Sequence, residues 1–400
     1  DGPHFKDEQG RTLILRGVNL GGSSKVPTKP GGATHVRDGF FEHRTVSFVG
    51  RPFPLEEADE HFTRLREWGL TCLRFLVTWE AIEHAGPGIY DSTYLDYVYE
   101  IVKKADTYGM QVFIDPHQDV WSRFSGGDGA PGWTFEAVGM DITTFQETGA
   151  ALVHQLHGDP LPSMIWPTNG GKLAAATMFT LFFGGNDFAP TLRVDGEPIQ
   201  DYLQRHYIDA IKQVALRVNG LPNVLGYDTL NEPLSGFIGC KDVNTYHGLL
   251  KGGECPTVFQ SMLLGEGYPQ EIEVWKQRIT GLKLTDRRIV NPKRVRAWRD
   301  GVPCVWRQHG VWDLAPDGTP RLLRPDYFNV LNGRQVDFSQ DYYRPFANRF
   351  AREIRSVHPD ALIFLETEFG HAPPDWKVGA DVSCPSPIDR PYIVYAPHWY

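Results

Sequence analysis

The sequence predicts an α/β fold of the (β/α)8 barrel class, with strands one to six present in this stretch of 400 residues. Three observations carry the prediction. Strand and helix patterns alternate along the chain. The strand segments are continuously apolar rather than alternating, which marks a parallel sheet covered by helices. Polar residues stand at nearly every strand end, where barrels of this class place their functional groups. A doubly wound sheet is the other architecture that six such units allow.

The first strand is expected over Arg11–Asn19. Leu55, Ala58, Phe62, Leu65 and Trp68 then recur at helical spacing. Thr71–Val77 is the second strand. Ser92 is placed to cap a helix that runs to Tyr108, and Gln111–Pro116 is the third strand. A helix over about 199–218 precedes a fourth strand beginning at Val224, bounded by Pro222 and Pro233. A helix over Tyr342–His358 leads into Ala361–Glu366, and Tyr392–His398 is the sixth strand. Two connections, about 120–197 and 235–338, are longer than such loops normally run and are expected to be insertions with functional content. Residues 1–400 read as a single, incomplete barrel domain, because Asp1-Gly-Pro3 and Tyr400 begin and end abruptly.

Composition excludes several classes. The net charge of −9 carries no overall nucleic-acid footprint, and no uninterrupted apolar stretch is long enough to span a bilayer. The polar N-terminus is not a signal peptide, so an intracellular protein is expected, cytoplasmic or vacuolar and peripheral to membranes. Aromatic residues make up 12%, with eleven Trp, which suits carbohydrate or lipid surfaces as well as ordinary cores. Cys72, Cys240, Cys255, Cys304 and Cys384 show no metal-ligand spacing; they read as reduced thiols, with a Cys240–Cys255 bridge as the alternative.

The most informative motif is Asn231-Glu232-Pro233 at the end of the fourth strand. An Asn there can hold a sugar hydroxyl, and a Glu can protonate a glycosidic oxygen as a general acid. The tripeptide alone is as readily a helix-initiating turn. Other strand ends tip the balance: Arg74, then His117-Gln118-Asp119, then His398 and Tyr400. Each has a bland reading, as a structural ion pair, a turn histidine, a helix cap or a core lining. Four sugar-compatible strand ends together are an improbable accident.

This ensemble resembles glycoside hydrolase family 5, whose pattern is an Arg after strand two, a His after strand three, Asn-Glu after strand four and His-x-Tyr after strand six. Arg74, His117, Asn231-Glu232 and His398-Trp399-Tyr400 match it in order. The segment Asp115–Trp133 further resembles endoglycoceramidases and the fungal glucocerebrosidase and steryl-β-glucosidase group. The resemblance implies a retaining β-glucosidase acting on lipid glucosides, with steryl (ergosteryl) β-glucoside as first substrate and glucosylceramide as the alternative. It makes Glu232 the acid/base. Arg74, His117, Asp119, Asn231, His398 and Tyr400 would bind substrate or orient the second carboxylate. That second carboxylate, the nucleophile, is expected on strand seven, beyond Tyr400; a β-sandwich is expected beyond that. Glu366 and Glu368 precede His398 and so are not read as the nucleophile.

Trp121, Trp133, Phe179, Phe182 and Phe183 are expected to form an aglycone entrance or lid. For the helix Leu173–Phe183 the other reading is an ordinary buried helix packed on the barrel. No metal or cofactor is expected. The partners are a glycolipid and, through the basic run Lys276–Arg299, an anionic membrane surface; the bland reading of that run is arginines paired with acids. A monomer with no nucleic-acid partner is expected. A non-catalytic carbohydrate- or lipid-binding barrel is the alternative from another class, and a secreted polysaccharide endoglucanase is a third reading.

Overall fold

A computed structural model describes residues 4–7, 9–162, 165–368, 371–374 and 393–398. Six parallel strands form the main sheet in sequence order: β1 Gly17–Leu20, β2 Cys72–Thr78, β3 Gln111–His117, β4 Val224–Asp228, β5 Leu362–Leu365 and β6 Ile393–Tyr395. They are strands one to six of a (β/α)8 barrel. All seven residues of β2 are buried, as a strand covered on both faces requires. The first strand is shorter than the apolar run Arg11–Asn19 suggested. Thr12 and Leu13 turn back onto Lys6 and Phe5, so only Gly17 onward lies beside β2.

Helices α1 Ala58–Glu67, α2 Ser92–Thr107, α3 Leu173–Phe188, α4 Ile199–Val218 and α5 Arg344–Arg355 pack around the sheet. The cap of α2 is Asp91 rather than Ser92. Its carboxylate accepts hydrogen bonds from the backbone N–H groups of Thr93 and Tyr94 at 2.9 and 3.0 Å, and Ser92 is the first helical residue. In α5, Phe346, Phe350 and Ile354 bury one stripe at i, i+4 spacing.

Alternation along the strands separates two environments. Leu73, Phe75, Val112, Ile114, Tyr227, Ile363 and Leu365 are buried in one core cluster with residues of α2 and α4. On the opposite side of the strands, Phe113 and Phe364 stack with ring centroids 4.1 Å apart. One pleat further along, the same parity places Arg74, Asp115, Asp228 and Glu366 together. Gly226 lets β4 approach β5, because a Cβ there would lie 1.9 Å from the Leu362 carbonyl oxygen.

The segment after β3 carries α3, which is apolar all round over Leu173–Phe183. Phe179, Phe182 and Phe183 are at most 1% exposed. Phe182 packs on Tyr207 and Phe346 at 5.6 and 5.1 Å, and Phe179 on Trp121 at 5.4 Å. Trp121 and Trp133 are also buried, each in edge contact with Trp79. The entrance or lid expected of these five residues is therefore corrected. So apolar a stretch is satisfied only by being surrounded, and these rings pack on one another, with Trp121, Phe179 and Phe182 bordering His117 and Gln118 at the strand ends.

Cys240 and Cys255 are buried free thiols, as are Cys72 and Cys304; Cys384 lies outside the described residues. No helix among the described residues is long and apolar enough to cross a membrane.

Truncating Phe183→Ala removes a ring packed on Phe182, Phe338 and Phe346. It should cost about 3–5 kcal/mol of unfolding free energy, read by urea denaturation. A loss under about 1 kcal/mol would show that the site is not the packed interior described.

Candidate active site

Arg74 stands on β2 with its guanidinium buried. Its Nη1 lies 3.0 Å from Asp115 Oδ2, and its Nη2 donates to Asn231 Oδ1 at 2.8 Å and to Glu366 Oε1. Asp228 Oδ2 is 3.5 Å from the same nitrogen. Burial disfavours the charge of Arg74, but Asp115, Glu366 and Asp228 outweigh it and raise its pKa. The carboxylates divide. Burial and the neighbouring Glu366 push Asp228 well above the usual range. Burial would raise Glu366 too, but hydrogen bonding with His398 and Asp228 and the charge of Arg74 bring it down to about 2.

Glu366 orients the motif after β4. Its Oε2 accepts from the Glu232 backbone N–H at 2.8 Å, and its Oε1 lies 3.0 Å from His398 Nε2. His398 Nδ1 lies 2.6 Å from Glu232 Oε1. These hydrogen bonds with Glu232 and Glu366 raise the His398 imidazole to about 9, so it bridges the two glutamates as a cation. Glu232 has a positive φ of 39°. Gln118 clips that turn in place: its Nε2 donates to the carbonyls of Asn231 and Glu232 at 2.7 and 3.1 Å. Asn231 Nδ2 returns a bond to the Gln118 carbonyl at 2.8 Å.

A second cluster follows β3. His117 Nδ1 lies 2.8 Å from Asp115 Oδ2, and its Nε2 is 3.5 Å from Asp119 Oδ2. Burial opposes the imidazolium, but Asp115 and Asp119 outweigh it and raise the pKa to about 10. Lys25, from the loop after β1, bonds Asp119 and sits 3.7 Å from Asp128. Burial and the charge of Asp119 hold Asp128 well above the usual carboxylate range. Backbone bonds of 3.1 and 3.0 Å between Asp119 and Asp128 close this loop. Gly127 permits it, since a Cβ there would lie 1.8 Å from the Asp119 carbonyl oxygen.

Two groups have metal-ligand proximity: His117, Asp119 and Asp128, and Asp115, Asp228 and Glu366. Side-chain cations hold both, Lys25 in the first and Arg74 in the second. The structure thus brings together Arg74, His117, Asp119, Asn231, Glu232 and His398. Tyr400 lies outside the described residues. Lys25 and Asp128 join the site without having been singled out for it. Gln118, of the His117-Gln118-Asp119 run, clips the Glu232 turn. Glu366, read from sequence as the end of the fifth strand in a supporting role, lies against Arg74 and His398. Lys25 carries no local signal, being 94 residues from Asp119.

A cleft of about 410 Å³ opens beside the motif, lined by Leu234, Ser235, Ile238, His247, Phe338 and Glu368 among others. Glu368 accepts from the Ser235 hydroxyl at 2.7 Å on its wall. Leu234, two residues after Glu232, lines both this cleft and a small void that touches Asp119 and Glu232.

Comparison with known proteins finds a family model, sequence relatives and a solved structure similar to this chain. The family described as Cellulase (glycosyl hydrolase family 5) matches residues 34–247. A protein of Rhizopus delemar named Glucosylceramidase is 45% identical over 410 residues, which cover 100% of this chain and 58% of the relative. Ergosteryl-beta-glucosidase of Saccharomyces cerevisiae is 38% identical over 424 residues, covering 93% of this chain and 54% of that protein. The crystal structure of Cryptococcus neoformans sterylglucosidase 1 superposes with a TM-score of 0.92 at 37% identity, covering 99% of this chain and 59% of that one. The chain thus spans little more than half the length of these relatives.

The two raised histidines set a pH dependence. An unfolded imidazole titrates near about 6.5, whereas His398 and His117 titrate at about 9 and about 10 in the fold. Their contribution is complete below about pH 6.5 and is lost as pH rises through the folded values. Urea unfolding should therefore weaken steadily on the alkaline side, and His117→Gln should flatten that slope. An equal slope in parent and variant would show that His117 is neutral in the fold.

Proposed function

The chain belongs to glycosyl hydrolase family 5, and from that premise we propose that it carries the acid/base and glucose-binding groups of a retaining β-glucosidase acting on lipid glucosides. One observation carries the reading. Glu232 stands past the end of a barrel strand with its side chain 14% exposed, locked by Glu366, His398 and Gln118 while neighbouring polar groups converge on it.

Glu232 protonates the glycosidic oxygen as the bond to the anomeric carbon breaks, then takes a proton from the incoming water. A carboxylate about 5 Å away across the bond forms the covalent intermediate. Glu366 does not fill that role. Its oxygens are taken by Arg74, His398 and the Glu232 N–H, and its side chain is 2% exposed, which leaves no face for an anomeric carbon. The nucleophile is proposed on the strand after His398-Trp399-Tyr400, where Tyr400 would help orient it. His117, Asp119 and Asn231, with Lys25, would hold glucose hydroxyls, and the cleft beside Leu234 would take the aglycone.

Steryl glucoside is the first substrate proposed, supported by the names of the yeast relative and the Cryptococcus structure. Glucosylceramide is the second, supported by the Rhizopus relative. A monomer inside the cell, cytoplasmic or vacuolar and working against membranes, accords with both.

Glu232→Gln should lower turnover of sterol and ceramide glucosides by on the order of 100-fold or more, while an activated aryl glucoside, whose leaving group needs little protonation, retains more and is rescued by azide. Full activity of this variant on lipid glucosides would end the assignment. A fluoro-sugar inactivator should label a peptide outside Leu365–Glu368; a label on Glu366 or Glu368 would make that strand end the nucleophile.

A further inference from the structure

We propose that the distal half of the β-hairpin formed by Gln270–Arg278 and Gly281–Val290 is an arm that docks on an anionic lipid bilayer. The antiparallel register pairs Trp275 with Leu284 and Gln277 with Leu282, which places these side chains on one face. Lys276 pairs with Lys283 and Arg278 with Gly281 on the other. The turn carries Ile279, fully exposed at 108%, and Leu282 and Leu284 are each 43% exposed. The tip is thus apolar on one face and cationic on the other, the pattern that seats side chains in acyl tails while cations meet headgroups.

The basic run as a whole does not behave this way. Arg287 lies 3.6 and 3.2 Å from Glu271 and Glu273, and Arg288 is 3.3 Å from Asp286. Lys293, Arg296 and Arg299 pair with Glu147, Glu266 and Glu136. Trp275–Thr285 holds three cations and no carboxylate, and among the described residues Lys276, Arg278 and Lys283 make no ion pair within 4 Å, Lys276 acting on Asp286 only at longer range. Charges that guard a sheet edge against pairing would account for Lys283 on the outer strand, but not for an exposed Ile and two exposed Leu beside it. A second copy of this chain is disfavoured as occupant, because facing tips would bring six cations together.

The arm also stands beside the cleft. Its inner strand pairs with Gly253–Glu254, and Lys251 lies 4.3 Å over the Trp275 ring. The same segment begins with His247, Gly248 and Leu249, which line the cleft. Docking there would bring the cleft to the bilayer. The proposal stands apart from the catalytic reading, since a protein that hydrolysed nothing would still bind.

The test is co-sedimentation of the purified protein with phosphatidylcholine vesicles, with and without phosphatidylserine. Each unpaired cation near an anionic leaflet strengthens binding about fivefold. The triple variant Lys276→Gln, Arg278→Gln, Lys283→Gln should therefore bind anionic vesicles on the order of a hundredfold more weakly. Ile279→Asp should lose about tenfold. Both should keep the parent's melting temperature and its activity on a soluble aryl glucoside. An environment-sensitive dye on Ile279→Cys should shift to the blue with anionic vesicles, and one on Trp68→Cys, at the end of α1, should not, with the labelled parent as background. Parental binding by both variants, or an unshifted dye at 279, overturns the proposal. So does a change of oligomeric state in Ile279→Asp with vesicle binding intact, which would assign the tip to a second copy.

Discussion

The buried guanidinium of Arg74 is the interaction on which the site depends. A lone cation in a protein interior is expensive, and its removal from around three carboxylates would be more so. Asp115, Asp228 and Glu366 all stand within ion-pair range of Arg74, with the His117 imidazole also on Asp115 and the His398 imidazole on Glu366. Asp228, whose nearest cation among the described residues is Arg74 at 3.5 Å, is the carboxyl pushed up by burial and by Glu366, while Glu366 is held at about 2. That choice propagates. Ionised Glu366 is the acceptor that fixes the Glu232 N–H and shares His398 with the Glu232 carboxylate. Asn231, held by Arg74 at 2.8 Å, is fixed from the same centre.

That anchoring supports backbone geometry the chain would otherwise avoid. Val120, Trp121 and Glu232 all have positive φ, at 43°, 81° and 39°, although none is glycine. Each such residue costs on the order of 1–3 kcal/mol and persists only where its surroundings over-determine it. Here Gln118 serves both strained turns, donating to the carbonyls of Asn231 and Glu232 and accepting from the Trp121 N–H at 2.9 Å. Behind them, Trp79, Trp121 and Trp133 meet edge-on, and the Trp133 indole donates to the Glu83 carbonyl at 2.7 Å. The strain therefore rests on a dry aromatic wall rather than on a mobile loop.

Much of this was legible in the sequence where the determinant is local. Continuous apolar runs located β2 to β5, and polar residues at the strand ends located Arg74, His117 and Asn231-Glu232; the register of β2 and β3 then puts Asp115 on the same side as Arg74 and His117. Residues defined by distant partners were not legible. Lys25 acquires meaning only against Asp119 and Asp128. Gln118 was legible as part of a polar strand end, but its bonds to the Asn231 and Glu232 carbonyls were not. The aromatic residues of the segment after β3 misled for a related reason. A run such as Leu173–Phe183 states that it avoids water, but not whether lipid or its own barrel supplies the apolar surroundings. Local charge density misled likewise, because the acids that neutralise Arg296 and Arg299 lie 30 and more than 100 residues away.

The same contrast separates the parts of the structure that are fixed from those available to a substrate. Around α3 every ring finds a protein partner, so that side of the strand ends is filled. On the other side, the turn after Glu232 runs through Leu234, Ser235 and Gly236 into an open cleft. Gly236, with φ of 63°, lies against α3: a Cβ there would sit 2.5 Å from the Ala176 carbonyl oxygen, so the turn is pressed onto the buried helix. Thr180 completes the contact by accepting the Phe237 N–H at 2.8 Å. The buried helix thus shapes the cleft without lining it. It sets the floor on which the Glu232 turn rests, and a substitution inside α3 reaches the site through that floor rather than through contact with what binds.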